Sequence, residues 1–535
     1  MTGVRPVLIG CMLCLVLSTV PNAANDQRLA DAVQRQDRVA VGALLQQRVD
    51  ANSRQADGAT AIAWAAHWND LETAELLIRA GADVNVTNDL GVTPLALACQ
   101  NGSVSMAEKL LSAGAKANAP STSVEAPLLI AAQTGNADVV KSLIAHGADV
   151  NTATPAMKQT ALMYAISEGH SDVARLLLEA GADRRAQSAG GFTPLLFAAR
   201  RGDTISARLL LDAGVDVNEA ARDGSTPLVV ATASSREDVA LLLLDRGANP
   251  SDSGAGYGAL HVAVSKDLLR VLTALLKHGA DPNERLKNAP TTLFGPARGS
   301  GSELMPIRTT NATASPGPAQ DSGAANAGKR GGAPPMGGGG LSGATPFWLA
   351  ARNVNVPLMR ALLEGGADPS LTTDNGVTPL MVAAGLTQIQ GPRARRGDVS
   401  QFYSNWGPAD SLETITFLVA LGADVNAVNP SGQTALHGAA YMGADDVVRV
   451  LVQSGAKLNV QDYSQGQTPY RLAEGHLNVA AQGVTEWPKT AALLRQLGAD
   501  TSLGVDGRTM LREYLGRAGG AATSDPAGAG RGVQR

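Results

Sequence analysis

Seven histidines and three cysteines are the residues of this 535-residue chain best suited to hold a metal or attack a bond. A catalytic zinc needs histidines one helical turn apart with a carboxylate beside them, as in H-E-x-x-H, and no two histidines here have that spacing. Acyl transfer would call for a G-x-S-x-G elbow, phosphate binding for a Walker A string and covalent haem for C-x-x-C-H, and the chain carries none of them beyond its N-terminal segment. Cys11 and Cys14 do spell C-x-x-C, but within an apolar run where they read as filler, which leaves Cys99 alone and excludes an intramolecular disulfide. "GAGYG" at 254–258 has the glycines of a phosphate loop without the preceding strand that the dinucleotide fingerprint requires, so it reads as a turn. The carboxylates are scattered and offer no cue for an acid and base pair. Residue chemistry thus assigns no catalytic, cofactor-binding or metal residues, and no cofactor.

What positions these residues is a repeat. "TAIAWAA" begins at Thr60, "TPLALAC" at Thr93, "APLLIAA" at Ala126, "TALMYAI" at Thr160, "TPLLFAA" at Thr193 and "TPLVVAT" at Thr226, at intervals of 33, 33, 34, 33 and 33. Further copies start at Gly258, Thr345, Thr378, Thr434 and Thr468. A second string, "GADVN" or a variant, closes each unit at 81, 114, 147, 181, 214, 247 and 279, and again from Gly366, Gly422, Gly455 and Gly498. Thr93 can cap a helix through its hydroxyl while Pro94 takes the first helical position, where a missing N–H costs nothing. Ala98, Ala131, Ala165, Ala198 and Ala231 recur at one place in this inner helix, where a small side chain lets neighbouring helices approach. Outer helices such as "SDVARLLLEAG" present Val173, Leu176 and Leu177 on one face and end at Gly181 in the left-handed conformation. With 3% aromatic residues against 44% hydrophobic, the core must be built from Ala, Leu and Val.

These strings resemble the ankyrin repeat, whose 33-residue period and T-P-L-H-x-A signature they share. The resemblance implies an all-α repeat solenoid of helix-turn-helix units, about twelve helix pairs plus a partial C-terminal cap, in which stability is a sum of contacts between neighbours. It assigns His261 and His437, at the fourth signature position, a structural role bonding the loops of adjacent units. His146 and His278 precede closing glycines, where a positive charge suits a helix C-terminus, and His170 and His476 sit in "EGH" turns expected at the start of the next helix. The resemblance also implies protein binding through a concave surface, with contact positions just after the alanine pair of the inner helix and at the loop tips. Trp68, Phe192, Arg200, Arg201 and Tyr441 are the strongest candidates there, since aromatic and Arg side chains make the best anchors.

Residues 1–24 read as a secretory signal peptide: Arg5, then an apolar run of 14 residues from Val7 to Val20, too short to span a bilayer, then Ala23 and Ala24. "LIGC" ending at Cys11 leaves lipidation as an alternative. Residues 25–284 hold units 1–8, and 345–518 hold units 9–12 and the half cap. Between them, 285–344 is a Gly/Pro/Ala-rich insert expected to be disordered, either a tolerated loop or a tethering segment. A second insert, 385–411, concentrates Arg395 and Arg396 beside Tyr403 and Trp406, readable as a recognition loop or as a lid over the neighbouring helices. The tail 519–535 is expected to be disordered. "GATPFWLAAR" at 343–352 reads as the stack resuming after the first insert, with Phe347 and Trp348 buried against residues 258–280.

A formal charge of −4 with no basic stripe disfavours nucleic acid as a partner. The function expected is an exported, non-enzymatic, monomeric scaffold of bacterial origin, periplasmic or secreted, without an integral membrane span once the signal is removed, that binds another protein. An active site built from the inserts and an envelope tether without a specific ligand are the alternatives.

Overall fold

The computed structural model describes residues 26–118, 126–287, 341–386, 408–463, 465–478, 483–505, 509 and 512. Among them are twenty-four helices in twelve consecutive pairs and two three-residue strands, an ankyrin-like all-helical solenoid. The chain divides into one unit ending at Val215 and a second beginning at Asp216. The first holds six helix pairs, from Arg28–Gln34 to Thr204–Asp212, and the second six more, from Pro227–Ala233 to Pro488–Gln496.

Five inner helices begin with a threonine cap followed by proline. The Thr93 hydroxyl accepts from the Ala96 N–H at 3.1 Å with Pro94 at the first helical position, and Thr193, Thr345, Thr378 and Thr468 repeat the arrangement. Outer helices are capped in turn by Asp70, Ser103, Asn136, Asp203 and Asn355. Such caps are worth about 1 kcal/mol each, and in helices of seven to nine residues they matter, because helices that short are not stable alone. Ala98, Ala131, Ala165 and Ala198 of the first unit, and Ala231 of the second, are fully buried, so inner helices pack on one another through a methyl group at this level. Gly181 closes its helix at φ +88 with open space where a Cβ would lie, so its glycine serves conformation alone.

The asparagine of the closing string stitches neighbours together. Asn85 donates from Nδ2 to the Gly114 carbonyl at 3.0 Å and accepts from the Lys116 N–H at 2.8 Å, spanning one repeat with two hydrogen bonds. Asn52 does the same with Gly81 and Asp83, and Asn118 with Gly147 and Asp149. In the second unit Asn283 bonds Gly366 and Asp368, and Asn426 bonds Gly455 and Lys457. At roughly 1 kcal/mol net per bond, this ladder adds to helix packing at each repeat it crosses.

Three elements differ from expectation at their edges. Arg285, Leu286 and Lys287 and residues 341–344 belong to the repeat framework rather than to the first insert: Leu286 is buried, its N–H donates to the Ala344 carbonyl at 3.0 Å, and the Gly343 N–H donates back to Leu286 at 2.9 Å. Leu386 is likewise buried and the outer helix Pro408–Ala420 takes in the last four residues, 408–411, of the expected second insert. His476 does not start a helix; it opens β1 (His476–Asn478), which pairs antiparallel with β2 (Gly483–Thr485). The proposed half cap falls almost wholly outside the described residues.

Either side of the first insert the pairs stack directly. Helix Ala259–Ser265 packs on Pro346–Arg352, and Leu269–Lys277 on Val356–Glu364. Asn355 Nδ2 reaches Asp267 Oδ1 at 2.7 Å, and Phe347 and Trp348 are fully buried, with the Trp348 indole N–H donating to the Val377 carbonyl at 2.9 Å.

Candidate interaction surface

The residues after the alanine pair fall into two classes that sequence position does not separate. One member of the pair satisfies the bare carbonyls at the end of the preceding inner helix. Asn101 Nδ2 donates to the Ala66 and His67 carbonyls at 3.2 and 2.7 Å, and the Thr134 hydroxyl lies 3.4 Å from the Cys99 carbonyl. Arg201, exposed, lays its guanidinium over Gly169 and donates to the Glu168 carbonyl at 3.4 Å. The carbonyls capped this way would otherwise face solvent unpaired at a helix end. Arg201 therefore has a framework role besides its place on the surface, while Arg200 beside it is half-buried.

Trp68 has no such role. It is 44% exposed and lies near-parallel to Trp64, ring centroids 6.3 Å apart, with His67 edge-on to both. Trp64 is pinned beneath: its indole N–H donates to Gln55 Oε1 at 2.6 Å, and Gln55 Nε2 donates in turn to Asp31 Oδ1 and Gln34 Oε1 at 2.7 and 2.9 Å. A rigid ring is thus presented on a buttressed base, the pre-organisation that makes aromatic anchors effective. Trp64 was not singled out from the sequence, although it stands four residues before Trp68, the spacing that brings two helix side chains together. Exposed apolar tips at Leu90 (73%) and Met157 (51%) lie on loops of the same unit. Phe192, also at a loop, is half-buried and packs edge-on against buried Phe197 at 5.8 Å, which makes it partly a core residue.

Tyr441, of the second unit, occupies the position equivalent to an anchor but is covered. The hairpin of β1 and β2 folds back so that His476 stacks on the tyrosine ring with centroids 4.0 Å apart, and burial raises the phenol pKa and lowers that of the imidazole. Trp487 completes the cover, its indole N–H donating to the Tyr441 carbonyl at 2.9 Å and its ring lying where a Cβ on Gly443 would be. Trp487, 37% exposed, is the aromatic that reaches solvent here, and no repeat position marks it. Arg395, Arg396, Tyr403 and Trp406 lie outside the described residues.

The reactive side chains are quiet. Burial pushes the Cys99 thiol up to about 12, and holds His261 and His437 down at about 4, so both imidazoles are neutral at pH 7. Among the described residues no three His, Cys, Asp or Glu side chains come close enough to hold a metal ion, and no helix is long and apolar enough to cross a membrane.

The family model for ankyrin repeats in three copies matches residues 29–121, 117–188, 181–254 and 408–482, and that for a single ankyrin repeat matches 255–287 and 342–374. The chain belongs to the ankyrin-repeat family. Among its relatives, human SH3 and multiple ankyrin repeat domains protein 2 aligns at 31% identity over 24% of this chain and 8% of that protein. The probable 26S proteasome regulatory subunit p28 of Saccharomyces cerevisiae aligns at 34% identity over 30% of this chain and 61% of its own length. The alignments thus span less than two thirds of either relative. The crystal structure of the human ASB11 ankyrin repeat domain is similar over 42% of this chain and 99% of its own, at 27% identity and a TM-score of 0.38. Ankyrin repeats suggest a scaffold for protein–protein interaction.

Proposed function

We propose that this protein is an exported, non-enzymatic scaffold of bacterial origin, acting as a monomer in the periplasm or outside the cell, that binds another protein through the inner-helix ends and loop tips of its repeats. Trp68 carries the reading. A tryptophan 44% exposed, lying on Trp64 whose indole is bonded to Gln55, leaves apolar area in water. At roughly 25 cal/mol per Å² that area favours a partner. Export rests on the run from Val7 to Val20 behind Arg5. Arg395, Arg396, Tyr403 and Trp406 extend the reading to the second insert on composition alone.

The test is affinity capture from the native envelope extract with the wild-type protein, a Trp68→Ala variant and a variant lacking residues 388–406, followed by identification of the retained protein and rebinding of that protein in purified form. A partner lost with Trp68→Ala supports the assignment. One retained equally by all three forms excludes this surface, and an extract-dependent covalent turnover with no retained protein would favour an enzyme.

A further inference from the structure

Within the unit beginning at Asp216, successive closing loops are tied to one another in two ways. One is a base bond made by the last residue of the closing string. Asn218 accepts from the Asn249 N–H at 2.7 Å, Ser251 from the Asp281 N–H at 3.1 Å and Asn459 from the Asp500 N–H at 2.9 Å, while Asn283 and Asn426 each make two such bonds. The other joins loop tips through the backbone: the Asp374 N–H donates to the Ser342 carbonyl at 3.0 Å, and the Tyr463 N–H to the Ser431 carbonyl at 2.8 Å.

Between the loops 366–377 and 422–433 both ties are missing, each for a chemical reason. Ser370 holds the asparagine's place, but its hydroxyl turns back to Asp368 Oδ1 at 2.6 Å and reaches neither Gly422 nor Asp424. Its string, GADPS, differs from the GADPN that ends at Asn283 in that one letter, so the loop backbone is not what prevents the bond. Pro430 stands where Asp374 and Tyr463 stand in their loops, and a proline has no N–H to donate. Its ring lies against Gly376 instead, where an added Cβ would come within 2.9 Å of it. The preceding joint, which the first insert interrupts, keeps both ties.

This joint keeps its packing. Helix Pro346–Arg352 lies on Pro379–Ala383, the Trp348 indole is bonded to the Val377 carbonyl, and the exposed Arg360 guanidinium stands 4.6 Å from the centre of the Phe417 ring. Apolar contact is non-directional and fixes no register between neighbours, which hydrogen bonds do. At five residues Pro379–Ala383 is also the shortest of the described inner helices, so the repeat beyond the joint adds little helix stability of its own. In a repeat array cooperativity passes through nearest-neighbour contacts and breaks where they are fewest. We propose that the second unit is jointed here: the helix pairs from Pro379–Ala383 to Pro488–Gln496 open together as one segment while the pairs ahead of Thr378 stay closed.

Amide hydrogen exchange on the full chain, read peptide by peptide by mass spectrometry, tests this. Helices 379–383, 445–453 and 469–474 should share one opening constant, at least about tenfold larger than that of 259–265, 269–277 and 346–364. A hydrogen bond is worth about fivefold in such a constant, so Ser370→Asn, which restores two, should slow opening of the later segment by about tenfold or more. Adding Pro430→Asp, which returns the N–H at the tip, should slow it further. Asn283→Ser takes the same two bonds from the preceding joint and should speed exchange of 346–364 by a similar factor. Protection that changes smoothly from 346 to 474 with no step at the joint, or a step that Ser370→Asn leaves unaltered, would overturn the proposal.

Discussion

Trp68 stands second and Tyr441 first after the alanine pair of its repeat, and one ring stands partly in solvent while the other lies under a hairpin. The first is supported from below by Trp64, the second covered from above by His476 and Trp487. A place just after the alanine pair thus does not by itself say whether a side chain ends in solvent or under a neighbouring segment. Tyr441 is covered because the turn after Glu474 brings His476 and Trp487 back onto it. Trp68 stayed free because its repeat has an ordinary short turn. One ring is left 44% exposed and the other half-buried.

Substitution should separate the two most sharply at Tyr441. Tyr441→Ala removes a ring packed on His476 and should cost about 3 kcal/mol of the second unit's stability in denaturant unfolding. A loss below about 1 kcal/mol would mean that the hairpin does not rest on the tyrosine. Gly443→Ala should cost somewhat less, about 2 kcal/mol, because φ is +68 and the new methyl would lie 2.5 Å from the Trp487 ring. A red shift of Trp487 fluorescence should accompany it; an unshifted spectrum with full stability would show that the ring is not seated there.

Acid should distinguish the regions as well. The buried His476 imidazole has a lowered pKa, so the hairpin's contribution is complete above the ordinary value of 6.5 and is lost as pH falls below it. Exchange of the Trp487 amide, which donates to the Ala473 carbonyl at 2.8 Å, should therefore quicken on acidification after intrinsic correction, while the Trp68 amide, bonded to Trp64 at 2.9 Å, should not respond. Equal responses would contradict the contrast. The smallest expected effect on stability is that of Trp68→Ala, within about 1 kcal/mol, since the ring is substantially exposed.

Much of this was legible from residues alone. The 33-residue period, the Thr-Pro helix starts, the buried alanines and the left-handed glycine at 181 all follow from local chemistry. The asparagine ladder was half legible: the letter recurs in "GADVN", but its partners lie about one repeat further on, and nothing local says that both its amide atoms are used. The fate of Tyr441 could not be read. It depends on a tryptophan 46 residues later, and the "EGH" string at 474–476 serves a strand here where it caps a helix at 168–170. Likewise, nothing local to Gly258 says that the Glu284 carboxyl lies where a side chain there would be.

The central claim, that the repeats act as a binding surface anchored at Trp68, is most directly tested by titrating the captured, purified partner against wild-type and Trp68→Ala protein of equal stability. A buried aromatic anchor is worth 2 kcal/mol or more, so the dissociation constant should rise by roughly thirtyfold or more. An unchanged dissociation constant would contradict the claim and leave Trp68 as an exposed ring with no partner.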